Sequence, residues 1–119
     1  MEPNKIMTSQ FVFLYVPAAT ESNASEIAKS LVEDKLAVCV NIIPNITSFY
    51  MWEGNLENAP ELILIIKTTK QLVAQAKDAI MLKHEYDVPC IAEIDIASLN
   101  TAYETWAKSQ LNMTNKAGS

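Results

Sequence analysis

Apolar positions along this chain alternate between runs of strand type and stripes of helix type. Phe11–Val16 (FVFLYV) is a continuous aromatic and β-branched run ended by Pro17, which predicts a buried strand. Thr20, Ser22 and Asn23 then offer N-cap oxygens, and Asn23 with Glu26 has capping-box spacing. Ala24, Ile27, Ala28, Leu31, Val32 and Leu36 recur at helical period. Ser25, Glu26, Lys29, Glu33 and Asp34 occupy the other face, so an amphipathic helix is predicted. Strand character returns from Val38 to Glu53, interrupted at Pro44-Asn45, where a residue without an N–H marks a bulge or an edge. Glu53-Gly54-Asn55 is a turn signal, and the chain comes back from Leu56 through Leu62–Thr68 as the partner strand.

Gln71 to His84 is predicted as a second helix, with Leu72, Val73, Ala76, Ala79 and Ile80 on one face. Pro89 biases Val88 away from helical geometry and closes it. Cys90–Ile96 alternates, placing Cys90, Ala92, Ile94 and Ile96 on one face of a strand. A last short helix around Thr101–Leu111 groups Tyr103, Trp106 and Ala107, and a polar tail, Asn112–Ser119, is expected to fray. The order β-α-β-β-α-β plus a helix predicts an α+β fold. With right-handed crossovers it is a ferredoxin-like βαββαβ sandwich with a long β-hairpin and an extra C-terminal helix. Residues 1–119 are expected to form a single domain with an ordered core over about 10–111.

The hairpin carries a consequence of its own. An arm of about sixteen residues at ~3.3 Å each reaches ~50 Å, against a radius of gyration of ~13–14 Å for a domain of this size. Such an arm projects beyond its sheet and leaves Ile46, Phe49, Tyr50, Met51 and Trp52 without cover. A partner chain that continues the sheet resolves this, which implies a closed homo-oligomer. A strand cut short at Pro44, with a monomeric loop beyond it, is the competing reading.

Composition narrows the chemistry. Half of the 119 residues are apolar and the formal net charge is −5, as in one globular domain rather than a disordered chain. All nine basic residues are Lys; an acidic chain without Arg argues against nucleic acid as a partner. Gly54 and Gly118 are the only glycines, which removes phosphate loops and the dinucleotide fingerprint. One histidine, His84, removes every motif that needs two, and no Ser lies in a G-x-S-x-G elbow. No enzyme signature is present. The first residues lack the apolar core of a signal peptide, and apolar runs such as Leu62–Ile66 are too short to span a bilayer. No membrane insertion is expected. Cys39 and Cys90 are therefore expected as reduced thiols in a cytoplasmic protein.

Several segments resemble one family in unbroken order from about residue 11 to 111. Lys35–Ser48 (KLAVCVNIIPNITS) is similar to its "KLAACVNIIPGITS", and Tyr50-Met51-Trp52-Glu53-Gly54 to its "Y-x-W-x-G" hairpin tip. Leu64–Thr68 resembles "LxIKT", His84–Pro89 resembles "H-P-Y-x-x-P", and Tyr103–Trp106 resembles "Y-x-x-W". This is the CutA1 family of divalent-cation tolerance proteins. The resemblance implies a ferredoxin-like subunit in a homotrimer like that of PII signalling proteins, tolerance to copper and other divalent ions, and copper binding in some members. Animal relatives are linked instead to anchoring a membrane enzyme. His84 matches the family's motif histidine. Glu85 replaces the motif's usual proline, Cys90 stands where Glu usually follows the last proline, and no thiol lies near Tyr15-Val16. A copper site of the bacterial type is thus only partly present.

As metal ligands, His84 and Cys90 would supply one nitrogen and one sulfur, a pair suited to Cu(I) or Zn(II), and symmetry would multiply them. Their plainer roles are a cation at a helix C-terminus for His84 and a packed thiol for Cys90, while Cys39 between two valines reads as core. Lys67, Tyr86, Trp52 and Glu53 are candidates for an intersubunit cleft holding a small anion or ion; otherwise Trp52 and Tyr50 pack an interface. Glu57/Glu61 and Glu93/Asp95 read as solvated carboxylate pairs. The expected function is a trimeric, non-enzymatic response to metal ions with copper binding and no required cofactor. The alternative is a PII-like sensor or scaffold for a small molecule or protein, using intersubunit clefts.

Overall fold

In the computed structural model, which describes residues 10–111, the elements are β1 (Phe11–Ala18), α1 (Glu21–Glu33), β2 (Cys39–Trp52), β3 (Asn55–Thr69), α2 (Val73–Lys83), β4 (Ala92–Asp95) and α3 (Thr101–Gln110). A single 3-10 turn, Lys70–Leu72, leads into α2. The strands lie in the order β2-β3-β1-β4, each pair antiparallel. This is the ferredoxin-like arrangement read from the sequence, with α3 added. The expected polar tail, Asn112–Ser119, lies outside the described residues.

Alternation on β1 sorts the core. Val12, Leu14, Val16 and Ala18 are fully buried beneath α1 and α2, together with Leu64 and Ile66 of β3. Ala24, Ile27 and Leu31 come down from α1, and Val73, Ala76 and Ile80 from α2. Phe11 faces the other way and forms a second cluster with Val38, Ala107 and Leu111, so α3 closes one end of the sheet's opposite face. Thr68 lies buried and donates its hydroxyl to the Leu36 carbonyl at 2.6 Å, tying β3 to the link between α1 and β2.

Several sequence expectations shift. β1 does not stop before Pro17 but runs through it to Ala18. The Pro17 carbonyl is taken by His84, and a strand residue's N–H and C=O point to the same side. The missing N–H therefore falls where β4, which pairs only with Val12–Tyr15, has already ended. The α1 cap is Thr20, whose hydroxyl accepts from the Asn23 N–H at 3.1 Å; Asn23 itself is inside the helix and buried. The helix ends before Lys35, at φ +59°, so Leu36 packs from the following turn and Val32 is exposed. The last strand spans four residues rather than Cys90–Ile96. Cys90 is exposed and not in the core, and Ile94, expected on the same packed face, is also exposed.

The hairpin is as long as the pattern implies. β2 pairs with β3 from Cys39↔Lys67 to Trp52↔Asn55. A bulge sits between Ile43 and Ile46, where Pro44 and Asn45, the latter at φ +63°, face the single residue Leu62. β1 stops at Ala18↔Leu62, so Asn55–Glu61 has a partner on one side only. Seven such residues project ~23 Å past the sheet. The Cα radius of gyration is accordingly 16.5 Å and the long extent 53 Å, against ~13 Å expected for a compact chain of this length.

Glu53 (φ +48°) and Gly54 (φ +84°) make the two-residue connection with the positive dihedrals of a type I′ turn. A Cβ at Gly54 would meet nothing within 4 Å, so substitution there acts through the backbone alone. Gly54→Ala is expected to destabilise the fold by about 1 kcal/mol. At fixed protein concentration, the urea midpoint should fall with an unchanged slope.

Candidate functional site

Where α2 ends, the chain must turn past the end of β1 to reach β4, and polar side chains hold this crossing. Asn23 of α1, 3% exposed, donates from Nδ2 to the Lys83 carbonyl at 2.9 Å. Its Oδ1 accepts the Glu85 N–H at 3.1 Å. Thr20 also donates its hydroxyl to Glu85 Oε1 at 3.4 Å. His84 caps α2 and is buried: Nε2 lies 2.7 Å from the Pro17 carbonyl, and Nδ1 lies 3.0 Å from the Tyr86 amide nitrogen. A carbonyl only accepts and an amide N–H only donates, so the ring is neutral with its proton on Nε2. Both nitrogens are engaged.

The imidazole of His84 leans on the Tyr86 ring, with centroids 4.8 Å apart. Tyr86 in turn donates its hydroxyl to Glu61 Oε2 at 2.5 Å, and Ser48 donates to Glu61 Oε1 at 2.5 Å. Glu61 is the first β3 residue beyond β1, so its carboxylate joins the root of the projecting hairpin to the end of α2. Burial raises the Tyr86 pKa to about 12, helped by the hydrogen bond and charge of Glu61 and by nearby Tyr50 and Glu85. The cluster is a chain of satisfied donors and acceptors.

Lys67, Trp52 and Glu53 lie elsewhere along the β2–β3 hairpin. Lys67 is six residues from Glu61 along β3, or ~20 Å, and the Trp52–Glu53 tip lies about as far on the other side. One chain therefore brings Tyr86 to His84 and Glu61, but separates Lys67 from Trp52 and Glu53 by ~40 Å. Only two copies could join them in one cleft. Lys67 sits instead under α3, its ammonium 5.8 Å from the centroid of the Tyr103 ring. Cys90 is exposed and Cys39 half-buried, both as free thiols. Among the described residues no three His, Cys, Asp or Glu side chains gather as a metal-holding group. His84 would offer Nδ1 to a metal only by releasing the Tyr86 amide. The described residues of one chain do not complete a metal site.

Sequence reasoning singled out His84 as a metal ligand and Tyr86 as a cleft residue, and missed the residues that connect them here. Glu61 read as half of a solvated pair; the signal was the bulge, which brings Ile46 opposite Glu61 and leaves Ser48 on the diagonal. Asn23 read as a cap. Its buried place on the helix face beside Ala24 and Ile27 is the pattern of a polar residue with distant partners.

A family model described as CutA1 divalent ion tolerance protein matches residues 12–110. The chain is 40% identical over 99 residues to a divalent-cation tolerance protein CutA of Thermus thermophilus, covering 83% of this chain and 94% of that relative. It is 37% identical to a chloroplastic CutA of Arabidopsis thaliana, over 91% of this chain and 58% of the relative. A crystal structure of the divalent ion tolerance protein CutA1 from Ehrlichia chaffeensis superposes with a TM-score of 0.83 at 37% identity, covering 88% of this chain and 97% of that one.

Two outcomes check the crossing. Asn23→Ala strands the Glu85 N–H and the Lys83 carbonyl and should destabilise by about 2 kcal/mol in urea unfolding. Of the four tyrosines, one should resist ionisation until about pH 12 when phenolate absorbance is followed, and that step should vanish in Tyr86→Phe. The unfolded phenol ionises near pH ~10. The stabilisation linked to Tyr86 is therefore complete below that pH and lost as pH rises toward 12. Stability of the Phe variant should fall less across this window.

Proposed function

The chain belongs to the CutA1 divalent ion tolerance protein family, and on that premise we propose that it serves the response to divalent metal ions as a non-enzymatic cytoplasmic homotrimer, with copper or another divalent ion as its cargo. The observation that carries the reading is the family match from residue 12 to 110, which takes in the hairpin, the crossing and α3. Assembly is supported by the hairpin end, where Phe49, Met51, Trp52 and Leu56 are between 61% and 69% exposed on an arm with no second sheet neighbour. Association with copies of the chain would cover these side chains. A trimer also multiplies the donors of one chain, since each copy adds an exposed Cys90 thiol and a His84 whose Nδ1 becomes a donor once it releases the Tyr86 amide.

A non-enzymatic role is supported by the Tyr86 phenol, which burial and Glu61 hold protonated far above neutral pH, unfit to act as a base. Both thiols are free, as a reducing compartment maintains them. No described helix is long and apolar enough to cross a membrane. The alternative role, a sensor or scaffold with clefts between subunits, draws support from β3: Lys67 of one copy meets Trp52 and Glu53 only if another copy brings them. Tyr86, held at Glu61 and ~20 Å from Lys67 in the same chain, would reach that cleft only from a further copy.

Light scattering is expected to give three times the chain mass of 13.2 kDa, with Trp52→Glu shifted to smaller species. A monomer at all concentrations overturns the trimer. Oxygen-free calorimetry of the reduced protein with buffered Cu(I) or Zn(II) should show saturable binding that weakens at least tenfold in Cys90→Ser. It should be lost in His84→Ala, with circular dichroism confirming that each variant is folded. Heat without saturation, or binding unchanged in both variants, overturns the metal reading and moves the case to the cleft.

A further inference from the structure

On the sheet face that α1 and α2 leave uncovered, α3 and the link before it roof a partly open cavity of about 240 Å³. Phe11 and Phe13 of β1 and Lys67 of β3 form its floor. Val38, Ile96, Leu99 and Tyr103 form its walls. The volume is about eight times the ~30 Å³ that a water molecule occupies in the liquid, enough for a small organic molecule and too little for a peptide. The lining is almost wholly hydrocarbon and aromatic, and Lys67 and Tyr103 are the lining residues that carry polar groups.

Lys67 is what gives this cavity a chemical preference. It lies directly opposite Phe13 and Cys39 in the sheet, so its stem rises from apolar neighbours. Among the described residues no carboxylate comes within ion-pair distance of it, and its recorded contact is the Tyr103 ring at 5.8 Å. A ring face balances a cation weakly compared with an anion. The site thus pairs a greasy slot with one positive charge at its side, and no described carboxylate supplies the counter-charge.

We propose that this cavity binds a small monocarboxylate with an apolar body, the carboxylate on Lys67 and the hydrocarbon or ring against Phe11, Phe13, Ile96 and Leu99. A divalent cation has no place in it, because Lys67 would repel one and no donor atom there is anionic. A phosphate or other polar anion is disfavoured by the lining, which offers hydrogen bonds from few groups. The inference shares Lys67 with the cleft reading and is independent of the metal reading, which uses His84 and Cys90.

The test uses the full chain in its native assembly, with phenylacetate and 4-methylpentanoate as probes and their neutral amides as controls. Amide chemical shifts are followed by NMR on perdeuterated protein during titration. The expected result is saturable shifts at Phe13, Val38, Leu99 and Tyr103, with each acid bound at least tenfold tighter than its amide. Comparison of the two acids tells whether the body recognised is aromatic or aliphatic. Lys67→Met should abolish the preference for acid over amide while leaving amide binding in place. Leu99→Trp, which fills the slot and keeps the lysine, should remove both. Absence of saturable shifts with either acid overturns the proposal, as does an acid preference that survives Lys67→Met or shifts centred outside the cavity. The metal titrations above are read separately, so failure of one inference does not carry the other with it.

Discussion

Beyond Leu62, β3 is hydrogen-bonded on one side only, because β1 has eight residues and β3 fifteen. Much else follows from this mismatch. The unshared part of the hairpin cannot be sandwiched by α1 and α2, so its aromatic and aliphatic side chains stay in water until another surface meets them. The chain returning from α2 has to pass the end of β1, and it does so at the place where β3 loses its inner neighbour. Glu61 stands there, and the bonds from Ser48 and Tyr86 replace, with side chains, the lateral support that a strand would have given. His84 completes the seam by taking the Pro17 carbonyl and the Tyr86 amide at once.

The fold was legible because its main signals are local. The helical stripe from Ala24 to Leu31, the turn at Glu53-Gly54 and the breaks at Pro44 and Pro89 each act within a few residues of themselves. Boundaries were less legible where a distant partner decides them. β1 outlasts Pro17 because β4 is absent on that side, and β4 is short because β1 pairs only four residues of it. Cys90 alternates with apolar neighbours as a core residue would, yet it precedes the strand and faces solvent. The alternation described a strand longer than the sheet has room for.

The site was legible only in part, for the same reason. His84 and Tyr86 could be singled out as unusual residues in a short segment, but their roles depend on Pro17 and Glu61, 67 and 25 positions away, and Glu85 between them is held by Asn23, 62 positions away. Side chains of this kind look alike in sequence whether they hold a ligand or hold the chain. Here His84 holds the chain, with no nitrogen left over within the subunit. Lys67, by contrast, is left with an aromatic ring and, among the described residues, no counter-ion. The two ends of β3 thus carry different kinds of unmet demand: apolar area at the turn and positive charge under α3.

The bulge at Pro44-Asn45 adds a mechanical consequence. It falls at the boundary between the part of the hairpin that the core grips and the part that is paired only with itself. Strand register inside that boundary is fixed by burial, while register outside it is fixed by the tight turn and the bulge. The outer arm is therefore a lever whose reach can be set without disturbing its fulcrum. Removing two residues from each side would keep every remaining side chain on its original face, shortening the lever by ~7 Å and leaving the seam at Glu61 where it is.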